Sequence, residues 1–95
     1  VGGGWKWLAW FGYFKDGGGG RIWHAEHGWL YPSGNAPDSI WLWDYRMSGW
    51  LWTSDSIYPF LWSSASKTWL WYYEGTGHGS GGWFYNYGTG QAEWL

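Results

Sequence analysis

The chain has 95 residues, a formal net charge of -2 and no Cys. The absence of Cys excludes disulfides, thiolate metal sites and a cysteine nucleophile. With only 5 Lys and Arg, the sequence has no basic stripe for phosphates, which argues against a nucleic-acid partner.

Aromatic residues dominate the composition, with 14 Trp, 8 Tyr and 4 Phe against 11 Val, Ile and Leu together. We therefore expect a core built of rings. A domain of this size is mostly surface, so it cannot bury all of that ring area. Wide apolar patches should stay exposed or be covered by another molecule.

The N-terminal segment starts at Val1 and contains three consecutive glycines, so we predict a flexible lead over residues 1–4. Residues 5–95 are expected to form a single aromatic-rich β domain. There is no signal-peptide pattern and no apolar run of about 18 residues, so we expect no membrane span. A processed or excised segment is the simplest interpretation of this start, and an exported protein is one way to produce it.

Residues 5–14 alternate with apolar side chains on both faces, which predicts one strand covered on two sides. Residues 15–20 predict a turn. Residues 21–24 and 29–31 predict a hairpin in which Trp23 faces Trp29, with Gly28 at positive φ after a three-residue loop. Residues 31–39 contain Pro, Gly, Asn and Asp and predict a loop.

The central stretch, residues 41–53, reads as strand, polar turn and strand. If Asp44 faces Gly49 across a four-residue loop, the period of two places four indoles on one face. The predicted cross-strand pairs are Trp43 with Trp50, Trp41 with Trp52, and Leu42 with Leu51.

Residues 57–62 and 69–73 repeat this pattern around a loop at 64–67. The predicted pairs are Trp62 with Trp69, Leu61 with Leu70, and Phe60 with Trp71. Residues 74–82 predict a glycine-rich loop. Residues 83–87 and 92–95 predict a last hairpin that pairs Tyr85 with Trp94 and Phe84 with Leu95.

Return strands that start at Trp29, Trp50 and Trp69 lie 21 and 19 residues apart. One hairpin per interval indicates internal repetition. No window shows a helical period. The sequence therefore predicts an all-β antiparallel meander of about nine strands, built from repeated aromatic β-hairpins.

The motif order resembles the aromatic-rich C-terminal tail domain found on exported proteins of Verrucomicrobia-type bacteria. The resemblance spans about Trp10 to Trp94 and implies an extracellular or cell-surface location, with no assigned function. Choline-binding and other cell-wall-binding hairpin repeats are more weakly similar, because they have Trp-Tyr-Tyr where this chain has Trp-Leu-Trp. The motifs that carry the main resemblance are FGYF at 11–14, HAEHGWLY at 24–31, DSIWLWD at 38–44, GWLWTS at 49–54, YP at 58–59 and WFY at 83–85.

Three polar motifs suggest chemistry, and each has a plainer interpretation. His24, Glu26 and His27 could bind a metal, but they read better as a polar turn. Residues 77–82 match a dinucleotide-binding glycine pattern, but a strand follows instead of a helix, so we interpret them as a flexible connector. Acidic residues near turns could suggest a glycosidase, but they read as solvated strand ends: Asp44, Asp55, Glu74 and Glu93. We therefore predict no enzyme, metal or cofactor.

The Trp pairs are the strongest candidates for function. Their predicted role is assembly between copies of the chain or a ligand platform, and the plainer alternative is that the same rings form the core. The residues are Trp41, Trp43, Trp50, Trp52, Trp62, Trp69 and Trp71. The leading hypothesis is a structural subunit of an extracellular fibre or surface layer. A polysaccharide- or cell-wall-binding module is the alternative, and a surface-attachment or sorting tail is the third.

Overall fold

The structure, a computed structural model, describes residues 4–36 and 38–95. These residues form ten strands in one sheet, in which each strand pairs antiparallel with its neighbours in the chain. The strands are β1 (Lys6–Leu8), β2 (Gly12–Gly18), β3 (Arg21–His24), β4 (Gly28–Ala36), β5 (Ser39–Asp44), β6 (Gly49–Thr53), β7 (Phe60–Ser63), β8 (Thr68–Tyr72), β9 (Trp83–Asn86) and β10 (Gln91–Trp94). The predicted all-β meander is confirmed. The predicted lead, residues 1–4, lies outside the described residues except for Gly4.

The predicted hairpin registers are confirmed for β3–β4, β5–β6 and β7–β8. Trp23 pairs with Trp29, and Gly28 has the expected positive φ of 79°. The central and following hairpins pair as expected, with Trp43↔Trp50, Trp41↔Trp52, Leu42↔Leu51, Trp62↔Trp69, Leu61↔Leu70 and Phe60↔Trp71. Cross-strand aromatic pairing and the alternation of faces were sufficient to determine these registers.

The N-terminal prediction of one long strand is wrong. Residues 5–14 contain β1, a turn and the start of β2, and the Phe11 amide donates to the Leu8 carbonyl at 3.1 Å across that turn. Gly12 follows the turn with a φ of 97°, a conformation that favours glycine. The strand β1 is exposed along its length, so it is not covered on two sides. This extra hairpin gives ten strands in place of about nine.

Several predicted boundaries also shift. Residues 15–18 belong to β2, so the turn is shorter than expected. Most of the loop predicted at 31–39 lies within β4 and β5, which meet with an irregular register after Ser33. Residues 57–59 form a turn instead of strand. Proline and glycine mark irregular backbone here, but neighbouring strands still pair through most of it.

The last hairpin has a different register from the predicted one. Trp83 pairs with Trp94 and Tyr85 with Ala92, a shift of two residues. Asn86 Oδ1 accepts from the Gly88 amide at 2.8 Å, and Gly90 closes the loop with a φ of 74°. The hydrogen bond to Asn86 and the positive φ of Gly90 place the loop at residues 87–90, one residue earlier than the predicted loop at 88–91.

A buried polar residue ends the first strand of each hairpin that starts on β3, β5, β7 or β9. Its side chain accepts hydrogen bonds from amides of the turn that follows, as at an Asx turn. The Asp44 carboxylate, for example, accepts from the Arg46 and Met47 amides at 2.9 and 3.1 Å. The four residues are His24, Asp44, Ser63 and Asn86.

The core is mainly aliphatic, which corrects the expectation of a core built of rings. One leucine or isoleucine from nearly every central strand points to the inner face, and Phe11, Tyr72 and Phe84 are the rings buried with them. The aliphatic side chains are Ile22, Leu30, Leu42, Leu51, Leu61 and Leu70. Tyr58 packs against both groups of buried residues and so joins the two halves of the sheet.

Candidate functional site

The opposite face of the sheet carries most of the tryptophans. Along β5, for example, Leu42 and Asp44 are buried, whereas Trp41 and Trp43 on either side of Leu42 are exposed and half-buried. We call this surface the aromatic face. Its residues are Trp7, Tyr13, Trp23, Trp29, Tyr31, Trp41, Trp43, Trp50, Trp52, Phe60, Trp62, Trp69, Trp71, Trp83, Tyr85 and Trp94.

Rings on the aromatic face pack edge to face across neighbouring strands. The ring centroids of Trp43 and Trp50 lie 5.5 Å apart with an interplanar angle of 71°, and Trp62 and Trp69 lie 5.4 Å apart at 66°. Edge-to-face packing is favourable for aromatic pairs. Because the rings of each such pair contact each other, their side-chain conformations are fixed within the chain itself.

All seven predicted site residues lie on the aromatic face. Trp41 and Trp69 are the most exposed of the seven, each at 39 %, and the other five are half-buried. The sequence reasoning left out Trp23, Trp29 and the edge tryptophans, although the same alternation would have placed them there. It followed the repeated Trp-Leu-Trp motif and the Phe60-Leu61-Trp62 strand that pairs with one copy of it.

A groove on the aromatic face combines exposed rings with hydroxyl groups. It is lined by Ser33, Trp41, Trp50 and Ser64. The Ser64 hydroxyl donates to the Trp50 carbonyl at 3.1 Å, which holds it beside the indole. Flat apolar rings flanked by hydroxyls suit the apolar face and hydroxyl groups of a sugar.

A second cleft lies where β7, β8 and β9 meet. Tyr85 and Tyr87 have ring centroids 4.9 Å apart at 73°, and Phe60 lies 6.0 Å from Tyr87. With Trp71 and Tyr73 they line an open aromatic surface. The phenol hydroxyls make this end of the aromatic face more polar than the centre.

Two rings near the N-terminal end already have a cationic partner. The Arg21 guanidinium lies 4.5 Å over the Trp29 ring, and the Lys15 ammonium lies 4.9 Å over Trp5. Cation–π contacts of this kind stabilise the cation and occupy the ring face. Each of these two rings therefore has one face already covered by a cation of the chain.

A polar cluster on the inner face includes the predicted metal candidates. His24 Nδ1 accepts from the Glu26 and His27 amides, and its Nε2 donates to the Phe11 carbonyl at 2.7 Å. His27 Nε2 shares a hydrogen bond of 2.7 Å with the Tyr58 hydroxyl. Both His24 nitrogens are thus engaged within the chain. Among residues 4–36 and 38–95, no group of three or more His, Cys, Asp or Glu is arranged to hold a metal ion.

The Glu26 carboxylate connects the β3–β4 turn to the C-terminal half of the chain. The Tyr72 hydroxyl and the Gly75 amide both donate to Glu26 Oε1 at 2.6 Å. The Gly79 amide donates to the Glu26 carbonyl at 3.0 Å. The segment 77–82, predicted as a flexible connector, instead packs against the β3–β4 turn through Gly77 and Gly79. Gly77, Gly81 and Gly82 are buried. As predicted, strand β9 follows this segment and not a helix.

Burial controls the protonation of this inner cluster. It lowers the pKa of His24 and lowers the pKa of His27 well below its ordinary value, with nearby His24 adding to the effect on His27. It raises the pKa of Tyr58 and Tyr72, with Glu26 adding to both. The folded cluster therefore holds neutral imidazoles and neutral phenols at neutral pH.

The fold should lose stability as the pH falls below about 6.5, the ordinary histidine pKa in an unfolded chain. In that range the unfolded chain takes up protons on His24 and His27 while the folded chain does not, so acid favours unfolding. We expect a loss of up to about 1.4 kcal/mol per pH unit for each buried histidine. Urea unfolding at several pH values measures it.

His27→Gln should flatten this pH dependence, whereas His78→Gln, at an exposed histidine, should leave it unchanged. Asp44 contributes to the pH dependence of stability with the opposite sign. Burial raises the pKa of its carboxyl, so the folded chain binds that proton at a higher pH than the unfolded chain and acid favours folding. This contribution is present in both variants, so the difference between them reports the buried His27. A wild-type stability that is constant between pH 7 and pH 5 contradicts this account.

The four acidic residues considered for catalysis are not arranged around a common cleft in the described structure. Asp44 is buried at a turn, and Glu93 Oε1 accepts from the Asn86 amide nitrogen at 3.2 Å. Asp55 and Glu74 lie in exposed turns. Asp44 and Glu93 therefore serve hairpin ends, but Asp44 is only 2 % exposed, so its interpretation as a solvated strand end is wrong.

Comparison of the chain with protein-family models, curated proteins and solved structures found no match. No helix in the described ranges is long and apolar enough to span a membrane.

Proposed function

We propose that this chain is a non-enzymatic structural subunit of an extracellular fibre or surface layer, in which aromatic faces of different copies pack together. One observation carries the proposal: indoles of neighbouring strands lie together on the outer face although leucines already supply the core. Exposed apolar surface that is contiguous often marks a site of interaction with another molecule. Exclusion of this area from water is the driving force for association.

The composition of the aromatic face supports contact with protein. Its central positions carry no charged side chain from β5 to β8, and charge depletion with aromatic enrichment is typical of interface cores. The rings are also ordered by their neighbours, which lowers the entropy cost of association. The extracellular location follows from the resemblance of the motif order and is part of the proposal.

The double variant Trp41→Ser/Trp69→Ser tests the role of the aromatic face. Each ring can bury on the order of 100 Å² more on association, worth about 2 kcal/mol. We expect the concentration at which assembly begins to rise at least about tenfold, as measured by sedimentation. Asp55→Ser is the control, because Asp55 is exposed in the turn that follows β6 and is not part of the aromatic face. Equal effects of the two variants would contradict the proposal.

Carbohydrate binding is the second candidate, and the groove of Ser33, Trp41, Trp50 and Ser64 favours it. A wild-type chain that stays monomeric but is retained on insoluble polysaccharide, with retention lost in Trp50→Ala, would replace the assembly proposal with this one. A surface-attachment or sorting tail is a third proposal and rests on the motif resemblance alone.

A further inference from the structure

The two ends of the sheet are open edges. β1 pairs only with β2 and β10 only with β9 among the described residues. Unpaired strand edges present free N–H and C=O groups to another strand. Because neighbouring strands alternate in direction, β1 and β10 run in opposite directions, so β10 of one copy can pair antiparallel with β1 of the next.

The edge strands also carry the most exposed indoles. Trp7 on β1 is 57 % exposed and Trp94 on β10 is 48 % exposed, the highest values for any described Trp. Both belong to the aromatic face. Trp94 packs across the strands against Trp83 of β9, with the ring centroids 5.8 Å apart. Trp7 faces Tyr13 on one side and has no described strand on the other.

Charge on the opposite face favours the same pairing. Lys6 on β1 and Glu93 on β10 alternate with the two edge tryptophans. The Lys6 ammonium contacts Asp16 at 2.9 Å, but its side chain remains 57 % exposed, so a second carboxylate can still approach it. Pairing of two β1 strands, or of two β10 strands, would bring together no opposite charges of these strands.

We propose that assembly proceeds by strand addition, with β10 of one copy pairing antiparallel with β1 of a second copy and Trp94 opposite Trp7. This inference rests on the proposed function and adds its geometry. Lys6 and Glu93 are then diagonal neighbours about 7–8 Å apart, within reach of long side chains. The contact is heterologous, so each added copy leaves one free β1 edge and one free β10 edge for a further copy, and it continues the aromatic face from copy to copy.

Hydrogen exchange on the wild-type chain tests the edge contact without any substitution. Outward amides of Lys6–Leu8 and Gln91–Trp94 should exchange at least tenfold more slowly in assembled protein than in dilute monomer. Amides that exchange equally fast in both states would overturn the edge pairing while leaving the proposed function intact. A wild-type chain that never assembles would overturn the proposed function and the edge pairing together.

Disulfide trapping tests the partner and the register, since the natural chain has no Cys. Mixing Trp7→Cys with Trp94→Cys under mild oxidation should give a heterodimer, because directly opposite Cβ atoms lie about 4.5–5.5 Å apart. Mixing Trp7→Cys with Trp83→Cys is the matched control, with the thiol one strand further in. Dimers of Trp7→Cys alone, or equal yields in the two mixtures, would overturn the proposed pairing.

Discussion

Leu42→Ala is expected to lower the free energy of unfolding by about 2–5 kcal/mol. Leu42 is 1 % exposed and packs with Phe11, Ile22 and Leu30 on the inner face. Truncation leaves a cavity in a packed region, which adds to the lost transfer energy. Equilibrium unfolding in urea, followed by far-UV circular dichroism, measures the change.

Its control is Trp41→Ala, one residue earlier on the same strand but on the aromatic face. The Trp41 ring is 39 % exposed, so water fills the space that it leaves. We expect a loss of about 0.2–1 kcal/mol, the range for a cross-strand pair. If the tryptophan variant loses as much stability as the leucine variant, the rings form the core and the aromatic face is not free for a partner.

Gly28→Ala is expected to destabilise the fold by about 3 kcal/mol, through backbone strain and a clash. Gly28 has a φ of 79°, and a Cβ there would lie 2.6 Å from the Gly79 carbonyl oxygen. That oxygen belongs to the segment that packs against the β3–β4 turn. A backbone carbonyl cannot move aside as a flexible side chain can, so the segment at 77–82 must move away from the β3–β4 turn.

Gly18→Ala isolates the clash from the backbone strain. Gly18 has a similar φ of 83°, but no described heavy atom lies within 4 Å of the Cβ position. Its cost should be about 1–2 kcal/mol, from the left-handed conformation alone. Equal losses in the two variants, measured by thermal unfolding, would mean that the 77–82 segment does not press on the β3–β4 turn.

The hairpin registers were predictable because two independent features agreed at each one. In the β5–β6 hairpin, the Trp and Leu residues alternate with a period of two, and a polar loop of suitable length separates them. Only one register pairs Trp43 with Trp50 and Leu42 with Leu51 together. In the last hairpin, Ala92 and Glu93 replace the Trp-Leu-Trp return strand, so the turn chemistry of Asn86 decided the register instead.

The composition of the core was predicted wrongly because counting residues says nothing about faces. Rings outnumber aliphatic residues, yet the Leu of each Trp-Leu-Trp motif points inward and both indoles point outward. A strand places alternate residues on opposite faces, so the less numerous leucine and isoleucine side chains fill the inner face of the sheet. The same alternation put all seven predicted site residues on one surface.

Contacts between segments that are distant along the chain could not be predicted from the sequence. Glu26 meets Tyr72 and the Gly75 amide across nearly half of the chain, and no local pattern records that approach. The glycines at 77, 79 and 82 could have been taken as a sign of close packing, because a Cβ at each would lie under 3 Å from another residue. In sequence, the same glycines are equally consistent with a flexible loop.

In the proposed assembly, other copies of the chain cover the aromatic face. Sedimentation velocity on the wild-type chain, from low micromolar to near-millimolar concentration at neutral pH, tests this directly. We expect the sedimentation coefficient to rise with concentration as large species form and to fall again on dilution. A single sharp boundary at the monomer value over the whole range would contradict it.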